Sequence, residues 1–428
     1  MPWQCVMSGT HSSLTRRRFL FLQGPITPFF SEVAAGLRAF GHRVFRINLN
    51  LGDRLFWRGP DAVDYTARPE EWPSWIADFL KQNEITDILL LGEQRFYHSS
   101  AIEAAKALGI AVTVTDFGYL RPDWITLERN GMGGDSLFPR DPAEIRRLAQ
   151  GLSPPDLSPK FRDHFLRQAF WDVIYHVAGL WPFAFRHYHS HQIMHPLMMY
   201  AGLGRRLLLR RFENRRSAGV MRKLSQGGAA FWIFAMQMET DFSLRAYSAF
   251  PDMDTPLRLT INSFAAHAPR DAALLIKLHP LDPCVKHWPS RIEALAKAAG
   301  IAGRVHWAPL GKLDDMLVLA KGFITVNSTA ATRAMILGKP VKLLGKAVYD
   351  VPGLAHQGSL DSFWVDGIPP DQDLLQDFLA LLCEAFMVRG VFYHRPGLDA
   401  AVAATVARLD QGLINLPSRA AQAESAIA

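Results

Sequence analysis

The chain of 428 residues has room for two or three domains, and 49% hydrophobic with 20% charged residues excludes a disordered or fibrous protein. A formal charge of +7 suits an anionic partner (a nucleotide, a membrane surface or nucleic acid) without choosing among them. Cys5, Cys284 and Cys383 are too sparse for a disulfide framework or a CxxC metal site, which makes a reducing cytoplasm the expected setting.

The longest apolar run, AAFWIFAM from Ala229, is far below the ~20 residues that span a bilayer, so a soluble or peripheral protein is expected. FLFLQGP, after Arg16, Arg17 and Arg18, is too short for the apolar region of a secretory signal. The 11 Trp and 27 Phe exceed the needs of a small core, and some of them are expected to line a groove or face lipid.

Residues 1–15 are polar and unpatterned and are expected to be disordered. From Phe19 a regular alternation begins. FLFL reads as a strand, PFFSEVAAGLRAFG as an amphipathic helix ending at Gly41, and HRVFRINLN as the next strand. EEWPSWIADFLKQN is a helix, TDILLLG a strand, SSAIEAAKALG a helix closed by Gly109, and AVTVTDFG a strand. Short apolar strands alternating with helices predict a parallel sheet covered on both faces, placed in a first domain at 16–150.

The Pro-rich break GLSPPDLSP from Gly151 opens a helical, aromatic and basic connection at 151–224. It contains HYHSHQIMH (187–195) and GRRLLLRRFENRRSAGVMRKL (204–224). The histidine cluster lacks a nearby Cys or acid to complete a metal site, so no metal is expected. The second stretch sets Arg205, Arg206, Arg210, Arg211, Arg215, Arg216, Arg222 and Lys223 against Glu213 alone. It reads either as a solvated helix or as a juxtamembrane basic surface. No RNA- or DNA-binding pattern supports nucleic acid.

Alternation then returns in a second domain at 225–370. AFWIFAMQ, DAALLIKLHP, GRVHWAPL, GFITVNS and KPVKLLG read as strands. DTPLRLTINSFAAHAP, WPSRIEALAKAAG, KLDDMLVLA and TAATRAMILG read as helices. DQDLLQDFLALLCEAFMVRG and AAVAATVARLDQGL are read as C-terminal helices at 371–417, before a tail at 418–428. The fold class is therefore α/β and GT-B-like. Two Rossmann-like parallel-sheet domains face a cleft, with a helical basic and aromatic connection and C-terminal helices.

Ligands of open parallel sheets bind beyond the carboxyl ends of the strands. Three strands of the second domain put polar groups there: Gln237, Glu239 and Asp241 after the first, Lys277, His279 and Pro280 at the second, Asn327, Ser328 and Thr329 at the third. Asn327, Ser328 and Thr329 read equally as a helix cap, His279 as a histidine satisfied at a strand end, and Glu239 and Asp241 as a solvated turn. Together on one edge they fit a nucleotide-sugar, which needs a phosphate cradle, a donor near the leaving phosphate and a carboxylate at the anomeric carbon. No GxGxxG follows a strand, since GMGGDS at Gly131 lies in a loop, and GxxxxGK[ST], HExxH and a strand-end DxD are missing.

Several blocks give the chain a family resemblance: FLQGPITPFF, INLNLGDRLFWRG, DFGYLRPDWITLERNGMGGDSLFPRDP, QMETDFSLRAYS, IKLHPLD and TVNSTAATRAMILGKPVKLLGKAVYDVPGLAHQGSLDSFW. In this order it resembles the KpsS/LipB-type capsule polysaccharide proteins, retaining β-Kdo transferases, from about Phe19 to Trp364. The resemblance implies CMP-Kdo as donor substrate with no further cofactor. It implies lysophosphatidylglycerol or phosphatidylglycerol as acceptor, at the anionic inner face of the cytoplasmic membrane, with other capsule assembly proteins as partners.

Carried over by position, Asp241 is the nucleophile and His279 and Pro280 contact CMP. Ser328 and Thr329 hold the phosphate, and Asp116 is the base that deprotonates the acceptor. Arg121 and Arg245 are candidates for the Kdo carboxylate. Gln237, Glu239, Lys277 and Asn327 complete the donor side; Gly24, Arg121, His189, Arg205 and Arg206 are assigned to the acceptor side. The family carries Glu where Asp116 stands, and Gly where Ala331 stands. A UDP-sugar transferase or epimerase of the same fold, and a non-catalytic assembly or export factor, are the competing readings.

Overall fold

The computed structural model describes residues 16–179, 184–190, 192, 194, 196–283 and 285–417. The stretches expected to be disordered or a tail, 1–15 and 418–428, lie outside the described residues, as do Cys5, Cys284, His191 and His195.

The first sheet contains β1 (Arg18–Phe21), β2 (Arg43–Asn48), β3 (Ala62–Asp64), β4 (Asp87–Leu91), β5 (Ala111–Phe117) and β6 (Trp124–Arg129). The second contains β7 (Phe231–Ala235), β8 (Ala273–Lys277), β9 (Val305–Ala308), β10 (Gly322–Thr325) and β11 (Val341–Leu343). A last strand, β12 (Met387–Arg389), returns to the first sheet. The strand orders are β12-β6-β5-β4-β1-β2-β3 and β11-β10-β7-β8-β9. The second sheet is parallel throughout; in the first, β6 runs antiparallel to both β5 and β12.

The core strands alternate their side chains between two apolar layers. Phe19 and Phe21 pack with Phe29, Val33 and Leu37, whereas Leu20 and Leu22 pack with Ile47, Ile76 and Ile88. In the second sheet Phe231, Ile233 and Ala235 face one cluster while Trp232, Phe234 and Met236 face the other. This is why FWIFAM reads as a run without polar positions. The helices Phe29–Ala39 and Phe96–Ala107 end near Gly41 and Gly109, whose φ of +87° and +69° suit glycine.

The C-terminal reading needs one correction. The helix expected to continue through Gly390 ends at Leu381 and passes through a wider turn, Leu382–Phe386, into β12. The helix Gly397–Asp410 then packs on Phe29–Ala39, where Gly36 lies against Val406. The chain therefore closes on the domain where it began. The connection forms the helices Phe165–Gly179 and Pro196–Gln226, the latter 31 residues long.

Candidate active site between the two sheets

In the second sheet β10, β7 and β8 are neighbours, and Thr325, Ala235 and Lys277 stand in register as their last residues. The three polar stretches therefore leave the sheet side by side. Gln237 straps two of them together. Its Nε2 donates to Asn327 Oδ1 (2.9 Å) and its Oε1 accepts from the Asn327 N–H (2.9 Å). Asn327 Nδ2 in turn donates to the Ser243 carbonyl (2.7 Å), and Tyr349 donates to the Asn327 carbonyl (2.7 Å). Gln237 and Asn327, expected to contact the donor, are buried and use their amides on each other and on this frame.

The frame positions Asp241. Its Oδ1 accepts from the Ser243 N–H (3.0 Å) and hydroxyl (2.8 Å), capping the short helix Phe242–Ala246. The cap engages one carboxylate oxygen, and the side chain remains partly open to water.

His279 is partly exposed beside it. Its Nδ1 accepts from the Leu281 N–H (3.2 Å), which leaves the proton on Nε2. Burial pushes the imidazole down to about 4; Asp241 opposes the shift, and Lys277, Arg206 and Arg121 add to it. The ring is neutral at physiological pH and presents an N–H donor.

Across from this edge, Asp116 sits near the end of β5, paired with Thr126 of β6. Its Oδ1 accepts from the Phe117 N–H (2.7 Å). Surrounding protein raises the carboxyl above its ordinary range and the Asp241 charge adds to this, against Phe117 N–H, Arg121 and Arg95. Arg121 feels both Asp116 and Asp241 and lies 4.7 Å from the Phe117 ring centroid. Its side chain is exposed to solvent. Asp116 and Arg121 of the first domain thus act electrostatically on Asp241 and His279 of the second.

Other expected site residues lie elsewhere. Glu239 accepts from Lys286 (2.5 Å) and the Met253 N–H (3.3 Å), in a cluster with Asp254 and Arg291 that pins the loop. Lys277 is buried and donates to the Leu278 carbonyl (2.8 Å); burial and Arg206 bring its ammonium down to about 8, against Glu213. Arg206, expected on the acceptor-side basic surface, is 5% exposed. It donates to the carbonyls of His279 (2.8 Å), Asp282 (3.0 Å) and Pro309 (3.0 Å) and pairs with Glu213 (3.2 Å).

Arg245 is exposed with its guanidinium 5.4 Å from the Phe242 ring centroid, and Pro280 is exposed. Ser328 and Thr329 are partly open; Ser328 Oγ accepts from the Ala330 N–H (3.3 Å) and Thr329 makes no side-chain cap bond. The helix after them, Ala330–Ile336, is seven residues long, so any phosphate contact rests on local hydroxyls and amides more than on a long helix dipole.

On the first domain, Gly24 lines a small recess with Arg46, Asp53 and Tyr175, where a Cβ would meet the Phe30 ring. His189 is exposed near Phe96, its N–H donating to Tyr97 (3.1 Å), and Arg205 is exposed. Among the described residues no group of three or more His, Cys, Asp or Glu could hold a metal ion. Sequence reading passed over Arg95, which acts on Asp116 from the segment after β4. The strand-edge rule, applied to GEQRF in the first domain, points to it.

Two facing parallel-sheet domains with polar residues at the adjoining strand ends define a GT-B-like α/β protein. A family model described as capsule polysaccharide biosynthesis protein matches residues 86–393, and the chain belongs to that family. It is 31% identical over 385 residues to the capsule polysaccharide export protein KpsS of Escherichia coli, covering 89% of this chain and 98% of that one. It is 27% identical to the capsule polysaccharide modification protein LipB of Neisseria meningitidis serogroup B, covering 88% and 91%. Among solved structures, the β-Kdo 2,7 transferase KpsC of Thermosulfurimonas dismutans matches with a TM-score of 0.44 and 13% identity, covering 91% of this chain and 99% of that one.

Proposed function

We propose that the protein transfers β-Kdo from CMP-Kdo to a lysophosphatidylglycerol or phosphatidylglycerol acceptor, with retention of configuration. The observation that carries this reading is the meeting of Asp241 and neutral His279 on one sheet edge with Asp116 and Arg121 on the other.

In the first step the Asp241 carboxylate attacks the anomeric carbon. The bond to CMP breaks, and its electron pair leaves on the phosphate oxygen, which accepts hydrogen bonds from His279 Nε2–H and from the Ser328 and Thr329 hydroxyls. In the second step the acceptor hydroxyl gives its proton to Asp116 while its oxygen displaces Asp241 from the same carbon. Two inversions give net retention. A carboxyl held above its ordinary range is better matched to accept a proton near neutrality. Arg121, which feels both acids, suits the sugar carboxylate.

A membrane-bound acceptor accords with the surface of the connection. Pro196–Gln226 buries Arg206, Ser217 and Leu224 along one seam, while Leu208 is 87% exposed on the far side with Phe212. Arg205, Arg210, Arg211, Arg215, Arg222 and Lys223 are exposed around them. The helix Phe165–Gly179 exposes Leu166, Phe170, Val173 and Val177, a stripe at helical spacing. Exposed apolar side chains among cations suit a bilayer surface with anionic lipid. No helix among the described residues is long and apolar enough to cross a membrane. We therefore infer a peripheral protein on the inner face of the cytoplasmic membrane.

The test is incubation with CMP-Kdo and a fluorescent lysophosphatidylglycerol, followed by mass measurement. A product heavier by one Kdo is expected. Transfer from a UDP-sugar instead, or binding of UDP in large excess over CMP, would overturn the donor assignment.

A further inference from the structure

The glycine run of GMGGDS receives a side chain from the opposite domain. Tyr247 follows the short helix Phe242–Ala246 whose first turn Asp241 caps, and it is buried. A Cβ on Gly134 would lie 2.5 Å from Tyr247 Cδ1, and one on Gly133, at φ +57°, 3.0 Å from Tyr247 Cε2. The first distance is too short for any side chain to share the space with the ring; at Gly133 the contact would be tight and the positive φ disfavours a side chain, so the two glycines form a socket.

At the bottom of the socket the Tyr247 hydroxyl donates to Glu93 Oε1 and accepts from Gln94 Nε2 (3.1 Å). Glu93 Oε1 also accepts from the Met132 N–H (3.4 Å), and the Gly133 N–H donates to the Tyr119 hydroxyl (2.7 Å). Two residues fix the rim. Arg140 donates to the carbonyls of Gly133 (3.4 Å), Gly134 (3.3 Å) and Ala347, and the Lys346 N–H donates to the Tyr247 carbonyl (2.7 Å). Thus the segment after β4, the glycine loop and the loop after β11 all converge on Tyr247 and its socket.

We propose that Tyr247 is a positioning residue: by seating on Gly133 and Gly134 and donating to Glu93, it fixes the helix capped by Asp241 against the first domain. Juxtaposing Asp241 with Asp116 and docking the two domains are then one event. The inference rests on the reading of Asp241 as nucleophile. The phosphate contacts of the second domain do not pass through Tyr247, so nucleotide binding survives its loss while the chemical steps slow.

The experiment uses the full chain with Tyr247→Phe, Gly134→Ala, Glu93→Ala and Glu93→Gln. Tyr247→Phe, Gly134→Ala and Glu93→Ala are expected to lower kcat at least tenfold, with CMP Kd and donor KM within twofold of the parent. Glu93→Gln keeps an acceptor for the hydroxyl and is expected to stay within threefold. Hydrogen exchange of Gly134→Ala should rise at 92–95 and 242–248 and stay unchanged at 231–235. Unchanged kcat in Tyr247→Phe with unchanged exchange in Gly134→Ala would overturn the proposal. So would CMP affinity falling in step with kcat, because that means a general loss of the second domain. Should Asp241→Asn still transfer sugar, the nucleophile reading fails on its own, and the exchange pattern alone then decides the docking role.

Discussion

Arg206, on the long basic helix, donates to the carbonyl oxygen of His279 at 2.8 Å. The same guanidinium reaches Asp282 and Pro309, so one side chain joins the surface helix to the ends of β8 and β9. The surface read as membrane-facing and the loop read as CMP-facing are therefore mechanically continuous. Arg216, 3.4 Å from the Trp307 ring centroid, adds a second attachment along the helix.

Removing Arg206 leaves three carbonyls without this donor and Glu213 without its cation. Arg206→Ala is expected to destabilise the protein by about 3–5 kcal/mol, the range for breaking a buried charge pair. It should also weaken CMP binding by moving His279. Arg206→Lys should recover part of the stability, because an ammonium cannot reproduce the planar fork. Denaturant melts and CMP titrations of both variants check this; a stability change below 1 kcal/mol would contradict it.

The exposed cations of the same helix behave differently. Changing Arg210, Arg211 and Arg215 together to Gln is expected to leave stability and CMP affinity unchanged. Each cation removed should reduce binding to phosphatidylglycerol vesicles by about 1 kcal/mol, and raised salt should weaken binding of the parent in the same direction. Vesicle co-sedimentation at two salt concentrations measures both effects.

Glu128 gives a pH signature of the fold that is separate from catalysis. It is buried and accepts from Tyr119 (2.6 Å) and Ser136. Burial pushes its carboxyl up to about 8, with Glu93 adding to the shift, against Ser136, Tyr119 and Arg140. The unfolded chain releases that proton near pH 4.3. From there to about pH 8 the folded state holds a proton that the unfolded state has lost. Stability from this group is therefore full at low pH and declines as pH rises through the window. Glu128→Gln removes the dependence, so the melting temperature of the variant relative to the parent should increase between pH 5 and pH 8. A constant difference would contradict the assignment.

Much of the architecture is legible in the sequence because the parallel strands are buried on both faces and the helices carry clear stripes. WITLER and MVR were not read as strands for a physical reason. They are an antiparallel pair at one side of the sheet, and MVR, three residues long, follows a helix without a glycine or proline to mark the change. Asp241, His279 and Asp116 could be located because each falls where a core strand ends. The roles of Arg206 and Tyr247 could not. One arginine in a run of eight cations is buried by contacts with residues 76 and 103 positions away, and a tyrosine finds its socket in a loop 113 positions earlier. Gln237 and Asn327 stand at strand ends as read, but their pairing across 90 residues depends on the neighbouring of β7 and β10.

The most direct measurement concerns the sugar–enzyme adduct. With Asp116→Asn the acceptor is not deprotonated, so the second step slows by about 10²–10⁴-fold and the adduct should accumulate. Intact-mass analysis after incubation with CMP-Kdo should show one added Kdo, mapped to the peptide containing Asp241, and none in Asp116→Asn/Asp241→Asn. Asn at 241 retains the capping oxygen for Ser243, so folding is preserved. No adduct in Asp116→Asn, together with transfer by Asp241→Asn at the parental rate, would contradict the mechanism.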